Sequence, residues 1–194
     1  MNQNNVLLAA ANFGLIGALP WVFFRSGRFN GMWMLTALPF LISGIAILGT
    51  AAGLIPTFWA PNTAMGGFCA DVAVLAFAAA FVLIGLTLGS HRVPLALWHQ
   101  SEDAPRHIVT WGAYARLRHP FYTSFLLTLV GGLLLAPNWV TLVAFAAGCA
   151  MLNATAAREE RRLCDSDLGS EYRDYLGHTG RFIPRLTWRR EIRS

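Results

Sequence analysis

Residues 118–162 read RHPFYTSFLLTLVGGLLLAPNWVTLVAFAAGCAMLNATAAREERR, and the punctuation of that stretch decides the fold. A run without charges, Phe121 to Leu135, is followed by a tight Ala136-Pro137-Asn138 turn and a second run from Asn138 to Ala157. A turn that short between two apolar helices forces them antiparallel. The first run has 15 residues, which at the helical rise spans about 22 Å, less than the roughly 30 Å of a bilayer's hydrocarbon core. Its start is therefore expected at or below the interface. The two charged corners, Arg118-His119-Pro120 and Arg158-Glu159-Glu160-Arg161-Arg162, should then arrive on the same face within reach of each other. Pro120 suits the first turn of a helix, where its missing N–H costs nothing, and His119 before it should be extended. The first N–H groups of this helix, from Phe121 onward, favour an anion such as a carboxylate.

Outward from this hairpin the chain repeats the theme. Of its 194 residues 55% are hydrophobic and 13% charged, against about 25% charged in a soluble domain. Three further apolar runs, 5–24, 31–55 and 68–89, precede the hairpin. The expected fold is all-α: a polytopic membrane protein with about five transmembrane helices and a cytosolic C-terminal helical tail. Residues 1–89 form a three-span scaffold, and residues 90–194 form one unit of polar loop, hairpin and tail. Alternation puts the 25–30 turn, the 90–119 loop and the tail on one side. All fifteen basic residues are arginines and all fall on that side, as the positive-inside rule requires of the cytoplasm. The net charge of +5 therefore reads as orientation and headgroup contact, and nucleic acid is excluded as a partner. Arginine to the exclusion of lysine, with abundant alanine, reads as genome base composition. The expected location is a bacterial inner (cytoplasmic) membrane, with the C-terminus in the cytoplasm. Cys69, Cys149 and Cys164 show no metal spacing and are expected as free thiols. The first run lacks the basic start and cleavage pattern of a signal peptide. Beyond the last span, Arg158 to Leu168 reads as a continuing helix, with Gly169 and Gly177 as candidate stops.

The chemistry gathers at the two corners. Glu159 and Glu160 leave a span and suit hydroxyls or an ammonium, while Trp98, Trp111, Tyr114 and Tyr122 offer aromatic faces that attract cations. A ligand with a carboxylate, an ammonium, a ribose and a sulfonium would use all of these groups. The plain alternatives are a headgroup anchor for Arg118-His119, an aromatic belt for the Tyr and Trp residues, and a solvated helix face for the glutamates. Arg118 is the member that a headgroup anchor explains best. Among residues inside the spans, Asp71, Asn12 and Asn153 are the notable polar ones, and none pairs obviously with another.

The stretch from Ile108-Val109-Thr110-Trp111-Gly112-Ala113-Tyr114 to Arg118-His119-Pro120-Phe121-Tyr122 resembles the membrane-embedded isoprenylcysteine carboxyl methyltransferase and phospholipid methyltransferase families, whose pattern there is roughly L-V-T-x-G-x-Y-x-x-x-R-H-P-x-Y. Three further segments resemble the ending of the same families: Glu159-Glu160-Arg161-Arg162-Leu163, Leu168-Gly169-Ser170-Glu171-Tyr172-Arg173-Asp174-Tyr175 and Thr179-Gly180-Arg181-Phe182-Ile183-Pro184. The likeness covers about residues 88–185; the first three spans match in character alone. It implies an all-helical enzyme that binds S-adenosylmethionine between the last two spans and the cytosolic tail, in keeping with the lack of a G-x-G-x-x-G fingerprint. Carried over residue by residue, it implies cofactor contacts from His119, Pro120, Tyr122 and Glu160, and less directly from Glu159, Arg118 and Tyr114. Tyr172, Tyr175, Arg181 and Pro184 would close the pocket from the water side.

One position departs from the resemblance. The carboxyl methyltransferases carry an arginine one turn before the conserved glutamate, and here that position is Ala156. A prenylcysteine carboxylate is therefore disfavoured as acceptor, and Arg158 lies on a different helix face. Arg106 stands where some relatives carry histidine, with His107 adjacent. Methyl transfer is an in-line displacement at a sulfonium methyl, needing orientation and, for a protonated nucleophile, a base. His107, Tyr114 and Arg118 are the candidate catalytic residues, with His99 a further candidate base, and no metal is expected. The expected acceptor is lipophilic or small and membrane-soluble, and the bilayer is the expected partner. The rival reading is a non-enzymatic transporter or assembly partner that keeps the scaffold.

Overall fold

The computed structural model describes residues 2–23, 31–90 and 107–185, with side chains from 2–17, 37–90 and 107–185. Among these residues the protein is all-helical. Six α-helices follow one another: α1 (Gln3–Phe23), α2 (Gly31–Ala51), α3 (Ala64–Ser90), α4 (Pro120–Leu135), α5 (Trp139–Cys164) and α6 (Gly169–His178). A single 3-10 turn, Gly112–Ala115, precedes α4. The 25–30 turn and the loop residues Trp98, His99 and Arg106 lie outside the described residues.

The helix ends have identifiable causes. The second apolar run was expected to reach Ile55, but α2 stops at Ala51. Gly53 adopts the left-handed conformation (φ 74°), and the amides of Gly53 and Leu54 turn back to the carbonyls of Thr50 and Gly49 at 3.0 and 2.8 Å. That is a glycine-terminated Schellman ending. At the hairpin turn, the Asn138 side chain accepts from the amides of Val140 (2.9 Å) and Thr141 (3.0 Å), and Thr141 Oγ1 accepts from the Asn138 amide. This reciprocal cap starts α5, and Asn138 Nδ2 also donates to Thr50 on α2. The expectation of a helix to Leu168 with Gly169 as a stop is corrected on both counts. The last span's helix ends at Cys164, and Gly169 opens α6. A Cβ at Gly169 would sit 2.2 Å from the Cys164 carbonyl oxygen, so glycine permits α6 to begin tight against the end of α5. Gly177 lies within the last turn of α6 and does not stop it.

The helices pack around two levels of core. At the level of the hairpin turn, Ala9, Ile47, Ala73, Phe77, Leu135 and Ala136 are buried together. At the level of the start of α4, the buried set is Ile16, Phe40, Ile84, Tyr122, Leu129, Leu152 and Ala156. Small residues let the backbones approach. Gly131 lies under the Phe77 ring, Gly132 faces Ser43 and Phe13, and Gly148 faces Leu129. Asn12, which pairs with neither Asp71 nor Asn153 in these contacts, is fully buried, accepts from Thr128 Oγ1 at 3.3 Å and donates to the Leu8 carbonyl.

Helices α3 and α5 are long and apolar enough to cross a membrane, and Ala37–Ala51 and Pro120–Leu135 are shorter apolar helices. Large apolar side chains lie on the outside: Leu41, Ile45 and Leu48 on α2, and Phe68, Leu75, Val82 and Leu86 on α3. A helix on the surface of a soluble protein turns a polar face outward, and an outward apolar face of this extent marks contact with lipid or protein.

Candidate functional site

The tail is tied to the segment before α4 by backbone and side chain. The amides of Arg118 and His119 donate to the carbonyls of Gly180 (2.8 Å) and Arg181 (3.2 Å), and the Gly180 amide donates to Arg116 O (3.1 Å). This isolated parallel bridge pairs Leu117 with Gly180. Tyr175 sends its hydroxyl to the carbonyls of Tyr114 (2.6 Å) and Leu117 (3.2 Å). Burial pushes its phenol up to about 12, so it stays protonated and donates. Thr123 Oγ1 donates to Phe182 O at 3.1 Å. The 3-10 turn is seated on the end of α3, where the Ala113 amide donates to Ser90 Oγ at 3.3 Å. Gly112 takes φ 63° there, with the Ser90 side chain filling the space a Cβ would need.

Within this frame the two charged corners meet. Glu160, 7% exposed, accepts from Arg118 Nε at 2.9 Å, from Arg181 Nε at 3.1 Å and from Arg181 Nη2 at 2.5 Å. His119 Nε2 lies 3.3 Å from the same carboxylate. The other ring nitrogen, Nδ1, faces Glu159 Oε2 at 3.5 Å. Glu159 also accepts from the Tyr122 hydroxyl at 2.6 Å, and the His119 and Tyr122 rings stack with an interplanar angle of 3°. Successive glutamates on a helix point about 100° apart, which is why one takes the arginines and the other the tyrosine. The link to Glu160 raises the Arg181 guanidinium above its ordinary value.

Most of the residues singled out from sequence are drawn together here. Arg118, His119, Tyr122, Glu159, Glu160 and Arg181 form the cluster itself. Pro120 is buried as the first residue of α4, and His119 before it sits at φ −125°, ψ 63°, outside the helical region. Tyr172 and Tyr175 are buried beneath the cluster. Burial, and then the nearby Glu160 charge, raise the Tyr172 phenol. The Tyr114 phenol is raised by burial and then by Tyr175 and Glu159, so it lies beside the cluster. His107 stands apart: it is exposed and stacks on exposed Trp111. Pro184 is exposed.

Arg118 is not free for lipid headgroups. Besides Glu160 it donates from Nη1 to the carbonyls of Thr179 and Leu176. It is a brace between α5 and the tail. Arg158 is exposed and bonds Thr155. Ala156 is fully buried in the inner core beside Tyr122 and Leu152. Asn153, which showed no obvious partner among the polar residues of the spans, accepts from Arg181 Nη1 at 2.8 Å. Its signal was its position two turns before Glu160, on the same helix face. Among the described residues there is no group of histidine, cysteine and acidic side chains that would hold a metal. No protein-family model matches the chain, and neither does any curated protein.

Proposed function

We propose that this chain is an integral membrane S-adenosylmethionine-dependent methyltransferase of the isoprenylcysteine carboxyl and phospholipid methyltransferase type. The observation that carries the reading is the convergence, at one end of the bundle, of the two segments that resemble that family. His119 and Tyr122 come from the first segment, Glu159 and Glu160 from the second, and Arg181 from the tail. These groups match a ligand bearing an ammonium, a carboxylate and hydroxyls. Glu160 and Arg181 receive the amino-acid end, while Glu159 and the Tyr122–His119 stack line the remainder. Tyr114 beside Glu159 orients the acceptor. His107, exposed beside Trp111, is the weaker of the named catalytic candidates.

The same reading places α1 to α5 as five spans, with the tail in the cytoplasm of a bacterial inner membrane. Residues 1–89 act as scaffold and 90–194 as the cofactor-binding unit. Helix α4 has 16 residues, about 24 Å at the helical rise. Its first turn then lies at interface depth, where a lipophilic or small membrane-soluble acceptor reaches the cluster from the lipid. With Ala156 buried one turn before Glu160, a prenylcysteine carboxylate is disfavoured.

Equilibrium binding of tritiated S-adenosylmethionine to the purified protein in nanodiscs tests the reading. Saturable binding that Glu160→Gln weakens is expected. No saturable binding, or a Glu160→Gln variant that binds like wild type, would sink it. Incubating the protein with labelled cofactor and host membrane extract then identifies the acceptor.

A further inference from the structure

Both oxygens of Glu160 are engaged. Oε1 takes Arg118 Nε, Arg181 Nε and the His119 ring, and Oε2 takes Arg181 Nη2 alone, so an incoming ammonium or hydroxyl competes with Arg181 for Oε2. The three partners are not equally held. Arg118 has 12% of its side chain exposed and is pinned by the Thr179 and Leu176 carbonyls as well as by Glu160. His119 has 9% exposed, stacks on Tyr122 and faces both glutamates. Arg181 has 32% exposed, and its other described side-chain contact is Asn153, itself exposed on α5. The Arg181 guanidinium thus bridges two positions on one face of α5, two turns apart, from a tail segment whose backbone is already fixed by the Arg118 and His119 amides.

We infer that Arg181 is a latch over the site, held shut by Asn153 and Glu160, and that ligand binding opens it by exchange. The ligand's carboxylate takes the Arg181 guanidinium, and its ammonium takes the Glu160 oxygen that Arg181 Nη2 vacates. No covalent step is involved, and charge is conserved in the swap. Asn153 then acts as a positioning residue that sets how much of the protein is closed, without touching the ligand. A closed fraction lowers apparent affinity in proportion to the population that is open. This inference rests on the cofactor reading above.

The test uses the full-length protein in nanodiscs, with tritiated S-adenosylmethionine as probe and two substitutions at one exposed position. Asn153→Ala removes the outer hold on Arg181, so association speeds up and the apparent Kd falls about fivefold. Asn153→Asp replaces the amide with a carboxylate that grips the guanidinium harder, so association slows and the apparent Kd rises by a similar factor. A purely structural asparagine would not move the two variants in opposite directions. If wild type binds the probe but both variants shift the same way, or neither shifts, the latch is wrong and the cofactor reading stands. If wild type does not bind the probe, both fall together.

Discussion

Glu160→Gln is the substitution whose consequence the structure specifies most closely. The carboxylate is 7% exposed and joins α5 to both the segment before α4 and the tail. Glutamine keeps the shape and one acceptor oxygen but removes the charge. The Arg181 arm is partly exposed and counts at the surface value of about 0.5 kcal/mol. The Arg118 arm is buried, and leaving a buried cation without its counter-charge costs about 3–5 kcal/mol when the partner is deleted outright. Because the Thr179 and Leu176 carbonyls continue to hold Arg118, and because glutamine still accepts, a net loss of about 3 kcal/mol is expected. That loss falls on the docking of the tail and leaves the bundle intact, since the core residues of α1 to α5 do not depend on Glu160. The reporters are the backbone amides of Arg118, His119 and Gly180, which make the bridge to the tail. Their hydrogen exchange should accelerate about a hundredfold, each 1.4 kcal/mol being a factor of ten. Amides in the middle of α4, such as that of Leu129, should be unchanged. Unaltered protection at the three bridge amides would refute the reasoning, as would equal acceleration in α4.

Two further outcomes are expected. An unfolded tyrosine titrates near pH 10, whereas burial raises Tyr175 to about 12. The folded tail therefore binds the phenolic proton more tightly, and its contribution to docking is complete below pH 10 and is lost as pH rises from 10 towards 12. The tyrosinate-absorbance difference between wild type and Tyr175→Phe should have its midpoint near 12, and a midpoint near 10 contradicts the buried, donating hydroxyl. For topology, a cysteine replacing exposed Thr63 in the 52–63 loop should be labelled by a membrane-impermeant maleimide on intact cells, while Cys164 should be labelled after the cells are opened. Labelling of both from the same side overturns the five-span arrangement.

The hairpin and the meeting of its two charged corners were legible from residues 118–162, because run length and a three-residue turn leave two apolar helices a single way to pair. The start of α4 at Pro120 was legible for the same local reason: proline's fixed φ and missing N–H suit a first helical turn. The end of α2 at Gly53 and the beginning of α6 at Gly169 were not. One depends on a left-handed conformation among several glycines, and the other on how near the Cys164 carbonyl comes. The resemblance nominated Glu160 and, less directly, Glu159, both for the cofactor. Only the tertiary structure divided them, giving the arginines to Glu160 and the tyrosine to Glu159, because neighbouring side chains on a helix point to different partners. It also turned Arg118 inward as a brace and paired Asn12 with Thr128 and Asn153 with Arg181. Those pairings join residues far apart in sequence. For Asn12 and Arg118 what selects them is the cost of leaving a polar or charged group buried without a partner; for the exposed Asn153 it is where the tail lays Arg181 along α5, and both are set when the helices and the tail close on one another.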